Sequence, residues 1–272
     1  MAKVTFGLFE ERREEIINAC ENLYKITGFK DITIKDISKA TSFSRPNIYN
    51  YFQTKEEIFL ALFKREYEKW NKDLEAIIAK NDVLTKDKIS EKIARSLEKR
   101  TQLLKLLSMN NYDMEANSRE EMLRSFKVAY GKSLANVRKI LDKFCKGMSN
   151  EEKDVFIYSF FPFMFGIYPY VSVTEKQKKA MKDANVEFKY HTIYELINNC
   201  LRNLFGINQG DEMIWKRKTL EKFLHFTHTP IYDIMAALNG IVKSGKIRYI
   251  GISNCFAWQI AKANYLAEKD SI

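Results

Sequence analysis

The chain has 272 residues, 46% hydrophobic and 13% aromatic, with a formal net charge of +10 and a pI near 9.2. That is enough apolar material for one large or two modest domains, while no apolar run is long enough to cross a bilayer and no signal-peptide pattern opens the chain. Cys20, Cys145, Cys200 and Cys255 lack metal or disulfide spacing, which predicts a reduced, cytoplasmic setting, and the basic excess favours a polyanionic partner.

A helix beginning near Glu10 repeats Ile16, Cys20, Leu23 and Tyr24 along one face, with Gly28 as its C-terminal stop. Thr33 to Phe59 then reads as two short helices around a tight turn, followed at once by a third. Ile34, Ile37 and Ala40 give the first short helix one apolar face. Ser42-Phe43-Ser44 breaks that pattern, with Phe43 as the apolar plug of the turn and Ser44 as the cap of the second short helix. Pro46 falls in the first turn of that helix, where its missing N–H is harmless. There Ile48 and Phe52 face the core, and Asn47, Tyr49, Asn50 and Tyr51 remain outside. Polar tips on one side and a minimal apolar seam on the other suit a helix that enters a major groove. Thr54 to Glu57 forms a capping box that opens a long helix carrying Ile58, Leu62, Phe63, Tyr67 and Trp70.

Helical periodicity continues through 89–107, 120–145, 151–168 and 190–205, with almost no strand-like alternation. The expected fold is therefore all-α to residue 205, with a helix-turn-helix head over 1–69 and a helical body over 70–206. The run from Val155 to Tyr168 is apolar all round and must be buried on more than one side. Its rings serve either core and subunit interface, or a ligand cavity lined by Phe160, Phe161, Met164 and Tyr168, where Pro162 and Gly166 loosen the helix. The lysine-rich stretch 171–189 reads as an exposed connection.

The segment resembles a known family in several mutually spaced places. Thr33 with Ile37-Ser38-Lys39-Ala40, the string Ile48-Tyr49-Asn50-Tyr51-Phe52, and Lys55-Glu56-Glu57-Ile58-Phe59 are similar to the tetracycline-repressor (TetR/AcrR) family of bacterial transcriptional regulators. The likeness is close from Arg12 to Lys69 and looser to Phe205. Ser42 stands where that family has glycine, so the turn must avoid positive φ or tolerate it. The resemblance implies that Lys35, Arg45, Pro46, Asn47 and Asn50 face base edges. It also implies that Thr33, Ser44, Tyr49, Tyr51 and Lys55 hold phosphates. It further implies a homodimer through the last two body helices, a palindromic double-stranded DNA operator, and a pocket for a small-molecule inducer. The scarcity of acidic residues between Phe160 and Tyr168 favours a neutral, apolar or amphipathic inducer.

Beyond Gly206 the chain changes character. A linker at 208–211 precedes a helix from Thr229, a strand over 246–252 and a helix from Ala257 to Lys269. The string from His228 to Lys269 resembles an internal fragment of an aldo/keto reductase, in which Ser253-Asn254 would meet a nicotinamide and His225 would stand for the catalytic histidine. The aspartate, tyrosine and lysine of that active site have no counterparts, and one strand has no sheet to join. No catalysis, cofactor or metal is expected, since His225 and His228 lack further ligands. The expected function is a ligand-responsive repressor. The alternatives are a DNA-binding activator or architectural protein without a ligand and, more remotely, an NADPH-dependent oxidoreductase acting through the tail.

Overall fold

The computed structural model describes residues 6–109 and 111–207, so the tail in which a reductase fragment is expected, with His225, Ser253 and Asn254, lies outside the described residues. Within them every regular element is helical. The head consists of α1 (Phe6–Ile26), α2 (Ile34–Lys39) and α3 (Arg45–Ile48), and α4 (Lys55–Ala79) runs out of it. The body continues with α5 (Lys86–Glu98), α6 (Thr101–Leu107), α7 (Asn111–Ala116), α8 (Glu120–Phe144), α9 (Asn150–Val171), α10 (Glu175–Asp183) and α11 (Ile193–Leu204). None of these helices is by itself long and apolar enough to cross a membrane.

Local chemistry places most helix starts. Thr33, Ser149, Thr174 and Thr192 each open a helix with a reciprocal capping box, paired with Asp36, Glu152, Gln177 and Glu195. Such a cap satisfies an otherwise orphaned N–H and is worth about 1 kcal/mol. The box expected at Thr54 is displaced. Its hydroxyl does accept from Glu57 N–H at 3.1 Å, but Glu57 reaches back one residue further, accepting from Gln53 N–H at 2.8 Å.

The core is built around α4, which buries Ile58, Phe59, Leu62, Phe63, Tyr67, Trp70 and Leu74 and packs along α8. Rings interlock across this seam, Phe63 lying 4.8 Å from Phe126 and Tyr67 meeting Tyr130 edge-on at 5.6 Å, while Trp70 lies 5.8 Å from Phe161 of α9. Each such side chain contributes roughly 2–3 kcal/mol on burial, before conformational entropy is set against it. Around this pair, α6 packs on α9, and α11 lies across α5 and α9.

Two expectations need correcting. Gly28 is not a left-handed stop; its φ is −84° and it leads into the short 3₁₀ turn Phe29–Asp31. Helix α1 instead ends where the Thr27 hydroxyl bonds Leu23 O at 2.6 Å and where Lys105 Nζ of α6 donates to the Tyr24 carbonyl. The periodic stretch 89–107 is two helices, broken at Arg100 (φ −113°), whose guanidinium is drawn to Asp73 of α4 at 2.7 Å. The connection 171–189 is exposed, as expected, and carries a helix of its own, α10, which buries no residue.

Candidate nucleic-acid interface

Helix α2 buries Ile37 completely, and the short α3 with the turn after it buries Ile48 and Phe52, all three at 0% exposure. That inner seam leaves Thr33, Lys35, Ser44, Arg45, Pro46, Asn47, Tyr49 and Asn50 exposed to solvent. The regular part of α3 is one turn, Arg45–Ile48, and Asn50 to Phe52 continue it through bonds to Asn47 O and Ile48 O. Pro46 occupies the first turn, where no intrahelical donor is required. Arg45 reaches along the surface to the Tyr49 hydroxyl at 3.3 Å, which orders both side chains on one face.

The turn between α2 and α3 needs no glycine. Asn185 is the one non-glycine residue with positive φ among the described residues, so Ser42 adopts an ordinary backbone. Its N–H is held by Glu15 of α1 at 2.6 Å. Sequence reasoning missed Glu15, since nothing about one more glutamate on a charged helix marks it as a clamp. Ser44 sits at the N-cap position but makes no side-chain cap bond; its carbonyl accepts from Asn47 and Ile48 instead.

Tyr51 and Lys55 differ from the other expected contacts. Tyr51 is 9% exposed, its ring 4.8 Å from Phe9 and 6.1 Å from Phe43, so this ring belongs to the head core. Lys55 is half-buried; its ammonium donates to Phe29 O at 2.9 Å and lies 4.1 Å from the Phe29 ring centroid. Thr33 is exposed, but its hydroxyl and its backbone N–H both donate to the Asp36 carboxyl and hold it below the usual range.

Behind the recognition segment lies a buried carboxylate that periodicity did not single out. Glu57 accepts from Arg119 Nε at 2.7 Å, Nη2 at 2.9 Å and backbone N–H at 3.1 Å. Burial alone would raise its pKa, but the Arg119 bonds and the Gln53 N–H outweigh that and hold it below the usual carboxylate value. The same guanidinium donates to the Tyr51 carbonyl at 3.4 Å.

In the body, Phe160, Phe161 and Met164 are buried at 2% exposure or less, and Tyr168 is half-buried against the same core. Phe161 meets Tyr130 edge-on at 5.9 Å and Phe160 at 6.0 Å. Tyr168 lies near enough to Tyr24 of α1 to add to the burial that disfavours ionisation of Tyr24. An open cleft runs along α1 and another along the start of α8, and neither of the two is lined by these four residues. The second face of α9 stays open: Val155, Tyr158, Phe163, Phe165 and Tyr170 are exposed in the single chain. Helix α9 runs unbroken through Pro162 and Pro169, and a Cβ added at Gly166 would meet nothing within 4 Å.

Residues 16–62 match the family described as bacterial regulatory proteins, tetR family, and residues 64–192 match the tetracyclin repressor-like C-terminal domain. The uncharacterized HTH-type transcriptional regulator YdgC of Bacillus subtilis (strain 168) is 31% identical over 88 residues, 32% of this chain and 45% of YdgC. YfiR of the same strain, also an uncharacterized HTH-type transcriptional regulator, is 39% identical over 57 residues, 21% of this chain and 28% of YfiR. The match thus spans less than half the length of these curated relatives. Among solved structures, the transcriptional regulator FadR from Bacillus subtilis in complex with stearoyl-CoA aligns over 72% of this chain and 99% of its own, with 19% identity and a TM-score of 0.48. With the head and the body matched in turn by the two halves of one architecture, the chain belongs to the tetracycline-repressor family of regulators.

Proposed function

We propose that this protein is a transcriptional repressor that binds a near-palindromic DNA operator as a homodimer and is released by a small apolar or amphipathic ligand. The observation that carries the reading is the division of labour in the head. Ile37, Ile48 and Phe52 are wholly buried on one side, while Lys35, Arg45, Asn47, Tyr49 and Asn50 are exposed on the other. A guanidinium can grip guanine bidentately, an asparagine amide can pair with adenine, and Pro46 can press on a thymine methyl. Tyr49, Ser44, Thr33 and Lys55 supply phosphate contacts that set register without reading sequence.

The head over 1–69 and the body over 70–206 share α4, so a change in the body is passed to the head through one continuous helix. The open apolar face of α9 supplies the dimer seam together with α11. The ligand's place is beside Phe160, Phe161, Met164 and Tyr168, where rings are dense and carboxylates few. Because the first three are buried at 2% exposure or less, it enters only as these side chains move apart. It acts by favouring a head spacing that no longer fits two half-sites.

Selection of duplexes from a random-sequence pool by the full chain, with footprinting of the selected duplex, tests this reading. The expected footprint is two symmetric half-sites whose centres lie about one helical turn, or a multiple of it, apart. Absence of sequence preference, or a footprint without symmetry, overturns it. A melting screen with neutral apolar and amphipathic compounds should find one that both stabilises the protein and lowers affinity for the selected duplex.

A further inference from the structure

We propose that Arg119 is the positioning residue that locks the recognition segment to the body, and that its two-pronged guanidinium sets specificity without touching DNA. The inference rests on the DNA-binding reading above and deepens it. Arg119 stands at the N-cap of α8, on the body side, where its Nη1 pairs with Glu121 at 2.9 Å, yet its other partners lie in the stretch that leaves α3 and enters α4. Nε and Nη2 take the two oxygens of Glu57 at 2.7 and 2.9 Å, and Nη2 also reaches the Tyr51 carbonyl at 3.4 Å. Glu57 passes the grip on, accepting from Gln53 N–H at 2.8 Å. Beside them the Thr54 hydroxyl donates to Asn117 O at 2.9 Å, a second bond from α4's cap to the chain just before α8.

The consequence is geometric. Tyr51, Gln53, Thr54 and Glu57 span the exit of the recognition segment, and one planar fork holds all four, Tyr51 and Glu57 through its own bonds and Gln53 and Thr54 through Glu57. A planar guanidinium bonded to both oxygens of a carboxylate fixes direction as well as distance, which an ammonium does not. The Glu57 side chain is 0% exposed, so the bond is shielded from water, while Arg119 keeps 35% of its side chain open. A shift of α8 along α4 therefore pulls on the segment just after α3 and re-aims Arg45, Asn47 and Asn50. The exposed part of Arg119 also defines the rival role, a direct phosphate contact.

The test uses the full chain, the duplex that the wild type selects from a random pool, and a scrambled duplex of equal length. Arg119→Ala and Arg119→Lys are compared with wild type, with melting curves recorded to show that each variant folds. The expected result is that both variants lose on the order of tenfold in the ratio of selected to scrambled affinity. Affinity for the scrambled duplex and its salt slope should stay as in wild type. Lysine should not rescue, because it keeps the charge and loses the fork. Equal losses on both duplexes with a salt slope smaller by about one per subunit, restored by lysine, would show a phosphate contact and overturn the proposal. Unchanged ratios overturn it as well. If Arg119→Ala does not fold, Glu57→Gln removes the charge from the other end and must lower the same ratio. A wild type that selects no duplex defeats the DNA-binding reading itself, whereas variants that match a selective wild type defeat only the role of Arg119.

Discussion

Asn136 of α8 donates its side-chain N–H to Asn71 Oδ1 of α4 at 3.0 Å, and Asn71 donates in turn to the Ala129 carbonyl at 2.9 Å. Both asparagines are 1% exposed, so this is a polar link inside the seam that joins the connecting helix to the body. Asn71→Ala strips the acceptor from a buried donor and should cost about 1–3 kcal/mol in urea unfolding. The double variant with Asn136→Ala should lose less than the sum of the single losses, because the second change removes the stranded donor. Strictly additive losses would show that the two amides do not act as a unit.

Contacts to DNA should separate by kind. Arg45→Ala should weaken binding to the selected duplex by about 1–3 kcal/mol and relax preference at one base pair per half-site. Tyr49→Phe and Lys55→Ala should weaken binding to all duplexes alike, and Lys55→Ala should reduce the salt slope by about one per subunit. Since the Lys55 ammonium also bonds Phe29 O, Lys55→Ala should lower the melting temperature slightly, whereas Arg45→Ala should not. Titrations at several salt concentrations read both effects, and a slope unchanged by Lys55→Ala removes Lys55 from the phosphate set.

Acid should loosen the head through Glu57. Its folded pKa lies below the ordinary 4.5, so the stability it contributes is present above that pH and is lost as the pH falls through the lower folded value. The wild-type urea midpoint should therefore fall on acidification below about 4.5. Glu57→Gln should start less stable at neutral pH and lose less on the way down. Parallel pH profiles for the two proteins would assign acid sensitivity to other groups.

Dimerisation should depend on the open face of α9. Tyr158 and Phe163 are 64% and 37% exposed in the single chain, so Tyr158→Asp or Phe163→Asp removes little packing within one subunit. Either change puts a charge where an apolar seam is expected and should shift the mass toward that of one chain in sedimentation at micromolar concentration. Operator affinity should fall with it, because two linked heads gain from effective concentration. A mass unchanged by both substitutions places the dimer seam elsewhere.

The regulator should be complete at residue 207. Phe205 is 6% exposed and its ring lies 4.6 Å from that of Phe156, and the Arg202 guanidinium pairs with Asp87 of α5. A chain ended after Ile207 should bind the selected duplex as the full chain does, within about a factor of two. Ending it after Asn203 removes the Phe205 ring from the core and should cost about 3–5 kcal/mol in stability. A chain ended at 207 that fails to fold or to bind would show that the tail takes part in the regulator.

The sequence by itself determined whatever neighbouring residues decide among themselves. Thr33 with Asp36, Ser149 with Glu152 and Thr192 with Glu195 are capping signals written within four positions, and the structure has a helix start at each. Ile48 and Phe52 at i, i+4 sufficed to orient the short recognition helix, because a burial stripe on a helix is a matter of period. Period says nothing about the groups that lie opposite. Glu57 looked like half of a capping box, yet its principal partner, Arg119, is 62 residues away. Tyr51 carries a polar tip on a helix of polar tips, and it is buried because Phe9 and Phe43 arrive from elsewhere to cover it. The periodicity of 89–107 ran smoothly through Arg100, where an ion pair to Asp73 accompanies the break between two helices. In each case the deciding free energy comes from a group brought near only by the fold, and a buried charge or ring takes its role from that neighbour rather than from its place in the chain.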